Sequence, residues 1–393
     1  MEAMPVAHLL GVAHSITSHE RGAHANPTDA FVNCTIYMAK LLHRAGWTVY
    51  VYAVEGSVVP ECTEVVAVVS RVTYDATYAT RDDQMLNTFS DCSVATWVEF
   101  GRRCPEAVRA RRQDAFDFVL PMFGAAHEPT TRALAMPAVV EPCIGHPGAY
   151  APFRVYCSYA WMYTDLAARS GGHNAHGHAY WSVIPHFVPP EDYPLCEHRE
   201  PFAVYLGRVQ HDKGVAMAVD ATREAGMRLK VIGNGRLEDL LGEVPPHVDV
   251  LGVLSLHDKV QWLQRAQCVF VPTLYIEPFS FACLEAQMCG TPVLCTRWGG
   301  PAEIVRHGRT GYHCDTLQTF VHALRACAAL SPLEIRHHAI RRFGVAAITP
   351  YFEAYLAKVG RLVRGQEDYY SVMDEPWPAH AMGVLADALA LGG

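Results

Sequence analysis

Residues 270–305 read FVPTLYIEPFSFACLEAQMCGTPVLCTRWGGPAEIV, and this stretch decides the fold. Its apolar opening predicts a strand over Cys268–Pro272, and the run after Pro278 predicts a helix over Phe281–Met288. A second short apolar run predicts a strand over Pro292–Cys295, and Gly299-Gly300-Pro301 predicts a turn and a new helix start. Strand, helix and strand at this spacing form a parallel βαβ unit. Pro272 and Pro278 bound a loop on which Tyr275 and Glu277 are expected to be exposed, and Glu285 follows eight residues later on the helix. A carboxylate accepts hydrogen bonds from two neighbouring hydroxyls, and a helix N-terminus beyond Pro278 attracts an anion lying between the two acids.

The same alternation extends in both directions. Downstream of a Pro-rich, charged linker at 183–201 come strands at Ala203–Leu206 and Leu229–Ile232 and a strand or turn near Val248–Leu251. Helices are predicted at Val215–Ala225 and Leu256–Ala266, with a last long one over Thr316–Ala328. Upstream, strands are predicted at Val6–Ala13, Trp47–Val54, Val65–Val69, Phe116–Leu120, Ala138–Val140, Val155–Cys157 and Val183–Ile184. Helices fall at Ala30–Arg44 and Pro105–Ala115. A chain of 393 residues exceeds the usual reach of one core. The expected architecture is α/β, with two Rossmann-like, doubly wound domains at 1–198 and 199–365 facing across a cleft. A C-terminal helix over 366–393, with Tyr369, Tyr370 and Trp377 as anchors, is expected to return to the first domain.

Composition excludes several classes. A formal charge of -8 argues against nucleic acid, and the basic run Arg102–Arg112 reads as a solvated helix face. The thirteen cysteines stand singly with no CxxC pair, which supports neither a zinc knuckle nor a disulfide scaffold and fits a reducing, cytoplasmic setting. No Lys or Arg precedes the short apolar stretch at the amino end, so it reads as a first strand rather than a signal peptide or a membrane span. The cluster HNAHGHAYW, His173–Trp181, has no thiolate or acid at ligand-like positions and reads as a loop, not a metal site.

The chemistry lies at predicted strand ends. In YLGRVQHDKG, residues 205–214, a strand ends at Leu206, Gly207 allows the turn, and Arg208 and Lys213 follow. Arg supplies a rigid fork of donors and Lys a mobile point charge, a pairing suited to a diphosphate; in isolation the two also read as ordinary surface charges. In VIGNGRL, Gly233 and Gly235 flank Asn234 directly after a strand, a tight turn that lets a ligand approach the backbone. This is neither GxGxxG nor a P-loop.

Taken together, GR-x4-KG at 207–214, E-x7-E at 277–285, CGTPVLCTRWGG and PAEIVRHGRTGY resemble the retaining GT-B glycosyltransferases of family 4. The resemblance covers 201–315 closely and the first half more loosely, through VIPHF, CSYAWMYTDLA and the opening strand and loop. It implies a metal-independent transferase that moves a sugar from a nucleoside diphosphate sugar to a hydroxyl of a glycan, glycolipid or small glycoside. Arg208 and Lys213 would hold the diphosphate, Glu277 the sugar hydroxyls and Glu285 the ribose. The backbone at Gly207, Gly233 and Asn234, and the amides of Phe279 and Ser280, would lie near donor and phosphate, with Phe281 also at the donor site; Val253 and Leu254 would border the base. No metal is expected; Asp82-Asp83 in YATRDDQ does not supply a DxD motif.

The chain departs from the family pattern in two places. Gly22–Asn26 stands where a Gly-Gly loop is usual, and Pro185-His186-Phe187 replaces Pro-Asn-Gly. The family's early histidine is matched best by His146 in CIGHPG, with His127 in MFGAAHEP as rival. Expected partners are a nucleotide sugar and a saccharide or lipid-linked acceptor, with no nucleic acid and no transmembrane segment. Peripheral membrane contact and a monomer or homodimer are both compatible. The alternative function is a non-catalytic nucleotide-sugar or glycan-binding protein of the same fold. A phosphorylase or synthase of that architecture is a second rival, and the missing early GxGxxG disfavours an NAD enzyme.

Overall fold

The computed structural model describes residues 4–13, 15–16, 30–78, 93–172 and 178–366. The loop at Gly22–Asn26, Asp82-Asp83, most of the histidine cluster at 173–177 and the expected helix over 366–393 lie outside the described residues.

The first half alternates β1 (Val6–Leu10), α1 (Ala30–Arg44), β2 (Thr48–Val54), β3 (Glu64–Val69), α2 (Arg71–Tyr78), α3 (Ala95–Arg109), β4 (Phe118–Pro121), α4 (Glu128–Leu134), β5 (Val140–Ile144), β6 (Phe153–Tyr156), α5 (Tyr159–Arg169) and β7 (Trp181–Val183). Strands pair as β3-β2-β1-β4 and as β5-β6-β7, all parallel, and a bridge between Val119 and Val139 joins the two sets. The second half runs β8 (Glu200–Leu206), α6 (Val215–Ala225), β9 (Arg228–Ile232), α7 (Glu238–Leu241), β10 (Val248–Gly252), α8 (Leu256–Leu263), β11 (Ala266–Val271), α9 (Phe281–Met288), β12 (Val293–Cys295), α10 (Gly300–Ile304), β13 (Gly311–His313) and α11 (Leu317–Ala326). Its sheet has the order β10-β9-β8-β11-β12-β13, again parallel. In both sheets the order reverses beside the first strand, so both present a switch-point crevice at the strand carboxyl ends.

Strands covered by helices on both faces need apolar residues in succession, not alternation. Val6–Leu10 and Phe118–Pro121 are buried at every position, as are Val293–Cys295. Helix α3 differs from the expectation over Pro105–Ala115. It starts ten residues earlier and carries Pro105 inside it. Trp97, Phe100, Cys104 and Val108 form its buried stripe, and the helix runs through Pro105 because that stripe is packed into the core. The arginines nearby are tied to Glu99 and Glu64 on the surface, as expected of a solvated face.

Two further helices, α12 (Pro332–Phe343) and α13 (Val345–Val363), close the described chain. Helix α13 packs on the first half: Phe352 meets the Phe187 ring at 5.9 Å, and the Tyr355 hydroxyl donates to the Tyr180 carbonyl at 2.6 Å. Arg364 reaches Asp114 at 3.1 Å. The return to the first sheet is therefore already made by 345–363, upstream of residue 366.

A polar clasp joins the halves at the cleft. Glu303 of α10 accepts the first two amides of α5, Tyr159 N at 3.1 Å and Ala160 N at 2.7 Å. Ser158 both caps α5, accepting from Trp161 N, and donates to the Pro278 carbonyl at 2.5 Å. A helix N-terminus has amides without internal partners, and a carboxylate from the facing domain satisfies them. Glu303→Ala should lower stability by about 1–3 kcal/mol, the cost of leaving such donors unsatisfied. Thermal unfolding reads the loss; an unchanged midpoint would remove the clasp from the account.

Candidate active site

A cavity of about 610 Å³ lies between the two sheets. The first half lines it with residues following β1 (Ala30, Phe31, Asn33), β4 (Phe123, Ala125, Ala126) and β5 (His146, Pro147). From the second half come residues following β8, β9, β10 and β11. Every one of these segments leaves a strand carboxyl end.

Of the residues singled out in the sequence, Arg208, Lys213, Glu277, His146, Gly207, Gly233, Asn234, Val253, Leu254, Ser280, Phe281 and Glu285 all line this cavity. Phe279 does not. Its ring is buried against His186 and Phe281, at 4.8 and 6.1 Å. Tyr275 and Glu277 are not exposed either. Tyr275 is half-buried, and the Glu277 side chain is only 14% accessible because it turns inward to a lysine.

That lysine is Lys213, whose Nζ lies 2.7 Å from Glu277 Oε1 and 5.0 Å from the centre of the Tyr275 ring. Glu277 Oε2 is buried with no hydrogen bond of its own, an acceptor left open at the cavity. Arg208 is exposed and makes no ion pair among the described residues. The loops after β8 and β9 are bonded to each other, Gly207 N to Ile232 O at 3.0 Å and Val209 N to Asn234 O at 2.7 Å. Gly233, at φ +147°, must lack a Cβ because one would stand 1.9 Å from the Gly207 carbonyl. Ser280 holds φ 145°, a costly value for a non-glycine residue, while its Oγ accepts from Cys283 N to cap α9. The α9 amino terminus therefore opens onto the cavity.

Glu285 is paired too, with a residue the sequence reading missed. Lys259 Nζ lies 2.7 Å from Oε2 and 2.9 Å from Oε1, and the Tyr193 hydroxyl donates to Oε1 at 3.4 Å. A signal was present: Leu256, Lys259, Val260 and Leu263 form the buried stripe of α8, so a lysine stands where an apolar residue is expected. A lysine on such a stripe asks for a buried acid.

His146 and His127 occupy different settings. The His146 ring faces the cavity between Phe31 and Phe123, at 5.5 and 6.2 Å. It fills the space a Cβ on Gly124 would take, 2.2 Å from such an atom, with Gly124 at φ +50°. His146 Nδ1 donates to the Pro147 carbonyl at 2.9 Å, so in the neutral ring Nε2 holds the lone pair. Burial lowers its pKa and favours that neutral form. His127 is buried against Trp97 and Phe100, where desolvation pushes it down to about 3. It does not line the cavity.

Behind His146 lies Glu141, fully buried, with Oε1 at 3.9 Å from His146 Nε2. Its Oε2 accepts from Tyr150 N at 2.9 Å and Ala151 N at 3.2 Å. Desolvation outweighs these bonds and raises its pKa to about 7.

The family description "Glycosyl transferases group 1" matches residues 194–341. That match covers the second half of the chain, including the loops after β8, β9, β10 and β11. It is 32% identical over 134 residues to the D-inositol 3-phosphate glycosyltransferase of Pseudarthrobacter chlorophenolicus, covering 28% of this chain and 30% of that protein. The chain thus spans about 30% of the length of this curated relative. Among solved structures, AviGT4, a glycosyltransferase involved in avilamycin A biosynthesis, aligns with TM-score 0.65 and 19% identity over 92% of this chain and 98% of its own. HepE of Anabaena, solved in complex with UDP-glucose, aligns with TM-score 0.61 and 17% identity over 90% and 99%. The fold is GT-B, two Rossmann-like α/β units across a cleft. No helix among the described residues is long and apolar enough to cross a membrane.

Two measurements probe this site. Lys259→Met strands the Glu285 charge in a buried setting and should cost about 3–5 kcal/mol, with Lys259→Met/Glu285→Gln recovering most of it. Chemical denaturation of both variants checks this; equal losses would show that the pair is not coupled. Glu141 has a folded-state pKa of about 7 against its ordinary 4.5, so folding favours the protonated form. Its contribution is intact below pH 4.5 and is lost as pH rises through about 7. Relative to wild type, Glu141→Gln should gain melting temperature progressively across that window and then level off. A difference independent of pH would contradict the assignment.

Proposed function

We propose that this chain transfers a sugar from a nucleoside diphosphate sugar to a hydroxyl acceptor with retention at the anomeric carbon. One observation carries the reading: three cationic side chains, Arg208, Lys213 and Lys259, and two carboxylates withdrawn from solvent converge on a single cavity at facing strand ends. The family match over residues 194–341 supports the donor assignment, and the HepE complex supports testing UDP-glucose first.

In this reading the diphosphate lies between Arg208, Lys213 and the α9 amino terminus. As the glycosidic bond lengthens, negative charge grows on the leaving phosphate. Fixed positive charge then binds the transition state more tightly than the ground state, which is what lowers the barrier. Lys213 is pre-positioned by Glu277, so little reorganisation is needed when the donor arrives. The open Oε2 of Glu277 takes a sugar hydroxyl. Glu285, oriented by Lys259, takes the ribose hydroxyls, and Val253 and Leu254 border the base. Each carboxylate already answers to a lysine, so neither is assigned as a nucleophile of the kind retaining hydrolases use. His146, with Nε2 as acceptor, orients the transferred sugar or its acceptor. Closure of the two halves would exclude water from the reaction.

Arg208→Ala and Lys213→Ala should each lower kcat by about 100–1000-fold while leaving the fold intact, by analogy with loss of an oxyanion donor. Release of nucleoside diphosphate from a panel of UDP-, GDP- and ADP-sugars is the readout, with circular dichroism as the folding control. Near-wild-type turnover in both variants would remove the phosphate assignment. Tight donor binding without any release would favour the non-catalytic binding protein instead.

A further inference from the structure

Below the floor of the cavity, three side chains converge that the transfer reaction does not use. Cys34 sits on α1, Cys143 in β5 and His186 in the segment after β7. All three are buried. One ligand atom from each lies within 4.8 Å of the other two, the one such grouping found among the described residues. We propose that Cys34, Cys143 and His186 bind a zinc ion that staples these three elements together.

The donor set suits zinc, which takes thiolate sulfur and imidazole nitrogen. The Cys34 Sγ to His186 Nδ1 separation is 3.6 Å. Bonds of about 2.3 Å to sulfur and about 2.0 Å to nitrogen at a tetrahedral angle give an edge of about 3.5 Å. The charge balance suits a dry location. Zinc(II) binding breaks two S–H bonds and forms two Zn–S bonds, and both protons leave to solvent. Two thiolates then cancel the charge of the ion, and no net charge is buried. Three protein ligands leave a fourth position for water.

The backbone at Cys143 gives independent support. Its φ is +57°, in the left-handed region, and the register of β5 on β6 shifts between Glu141 and Ile144. A non-glycine residue keeps such a conformation only where its surroundings over-determine it. On the other side, the His186 ring stacks on Phe281 at 5.0 Å and 16°, and Phe281 lines the cavity. An ion on Nδ1 would fix that ring, and through it the cavity floor. Zinc here is structural and adds no step to sugar transfer.

The full chain, purified without a histidine tag or chelators, is analysed for metal by plasma mass spectrometry, then stripped and reloaded with zinc or cobalt(II). About one zinc per chain is expected, and the cobalt form should show thiolate-to-cobalt charge-transfer absorption. Cys34→Ser, Cys143→Ser and His186→Asn should each lose the ion and the bands. Cys157→Ser, at a buried cysteine whose Sγ donates to the Pro278 carbonyl, should retain both. If a ligand variant unfolds, the cobalt spectrum of the wild-type chain decides by itself. Failure of the stripped chain to take up either ion at micromolar concentration would overturn the proposal. So would a Cys34–Cys143 disulfide in the fresh protein, or ligand variants that keep their metal.

Discussion

A carboxylate removed from water must find a cation or give up its charge, and the cleft is organised around that constraint. Glu277 and Glu285 are both withdrawn from solvent, and each is met by a lysine from a different loop or helix, Lys213 after β8 and Lys259 on α8. These pairs contribute little net stability, since desolvation consumes most of the Coulombic gain. What they supply is position. Lys213 holds one oxygen of Glu277 and Lys259 both oxygens of Glu285 in a set geometry, while Arg208 makes no ion pair among the described residues. Glu141 shows the other solution: with backbone amides but no close cation, it keeps its proton up to about pH 7.

The same economy governs how the halves meet. The seam beside the cleft consists of hydrogen bonds from Ser158 and the α5 amides to Pro278 and Glu303, each completing a group that would otherwise be unsatisfied. Helix α13 provides the apolar part, with Phe352 and Tyr355 against the first half. A directional polar contact at the cleft and a packed helix away from it suit a structure whose two sheets must face each other and still admit a ligand. The Cys34, Cys143 and His186 cluster lies beneath this seam, behind the Phe281 ring.

Much of this was legible in the chain. Helices α1, α6 and α9 fall at their expected bounds because the apolar runs there are compact and end cleanly. Twelve of the thirteen proposed site residues line the cavity, since loops at parallel strand ends must gather on one edge of a sheet. The Phe279 ring turns into the core against His186, whereas the expectation for this residue concerned its backbone amide. Pro105 misled the reading of α3, because a proline suggests a helix start whereas the buried stripe from Trp97 onward sets the real one.

By itself, then, the sequence determined the βαβ alternation, the parallel sheets and the loops that carry charge, because these follow from local periodicity and turn chemistry. Only the tertiary structure decided which acid answers which base. Lys259 and Glu285 are separated by 26 positions, and Lys213 and Glu277 by 64, so no local rule joins them. The choice of His146 over His127 for the cavity was likewise settled by burial, one ring facing the cleft and the other closed in by Trp97 and Phe100. Cysteines that stand singly along the chain meet a histidine only when α1, β5 and the segment after β7 pack together. Desolvation and convergence are properties of the packed chain, and no stretch of sequence contains them.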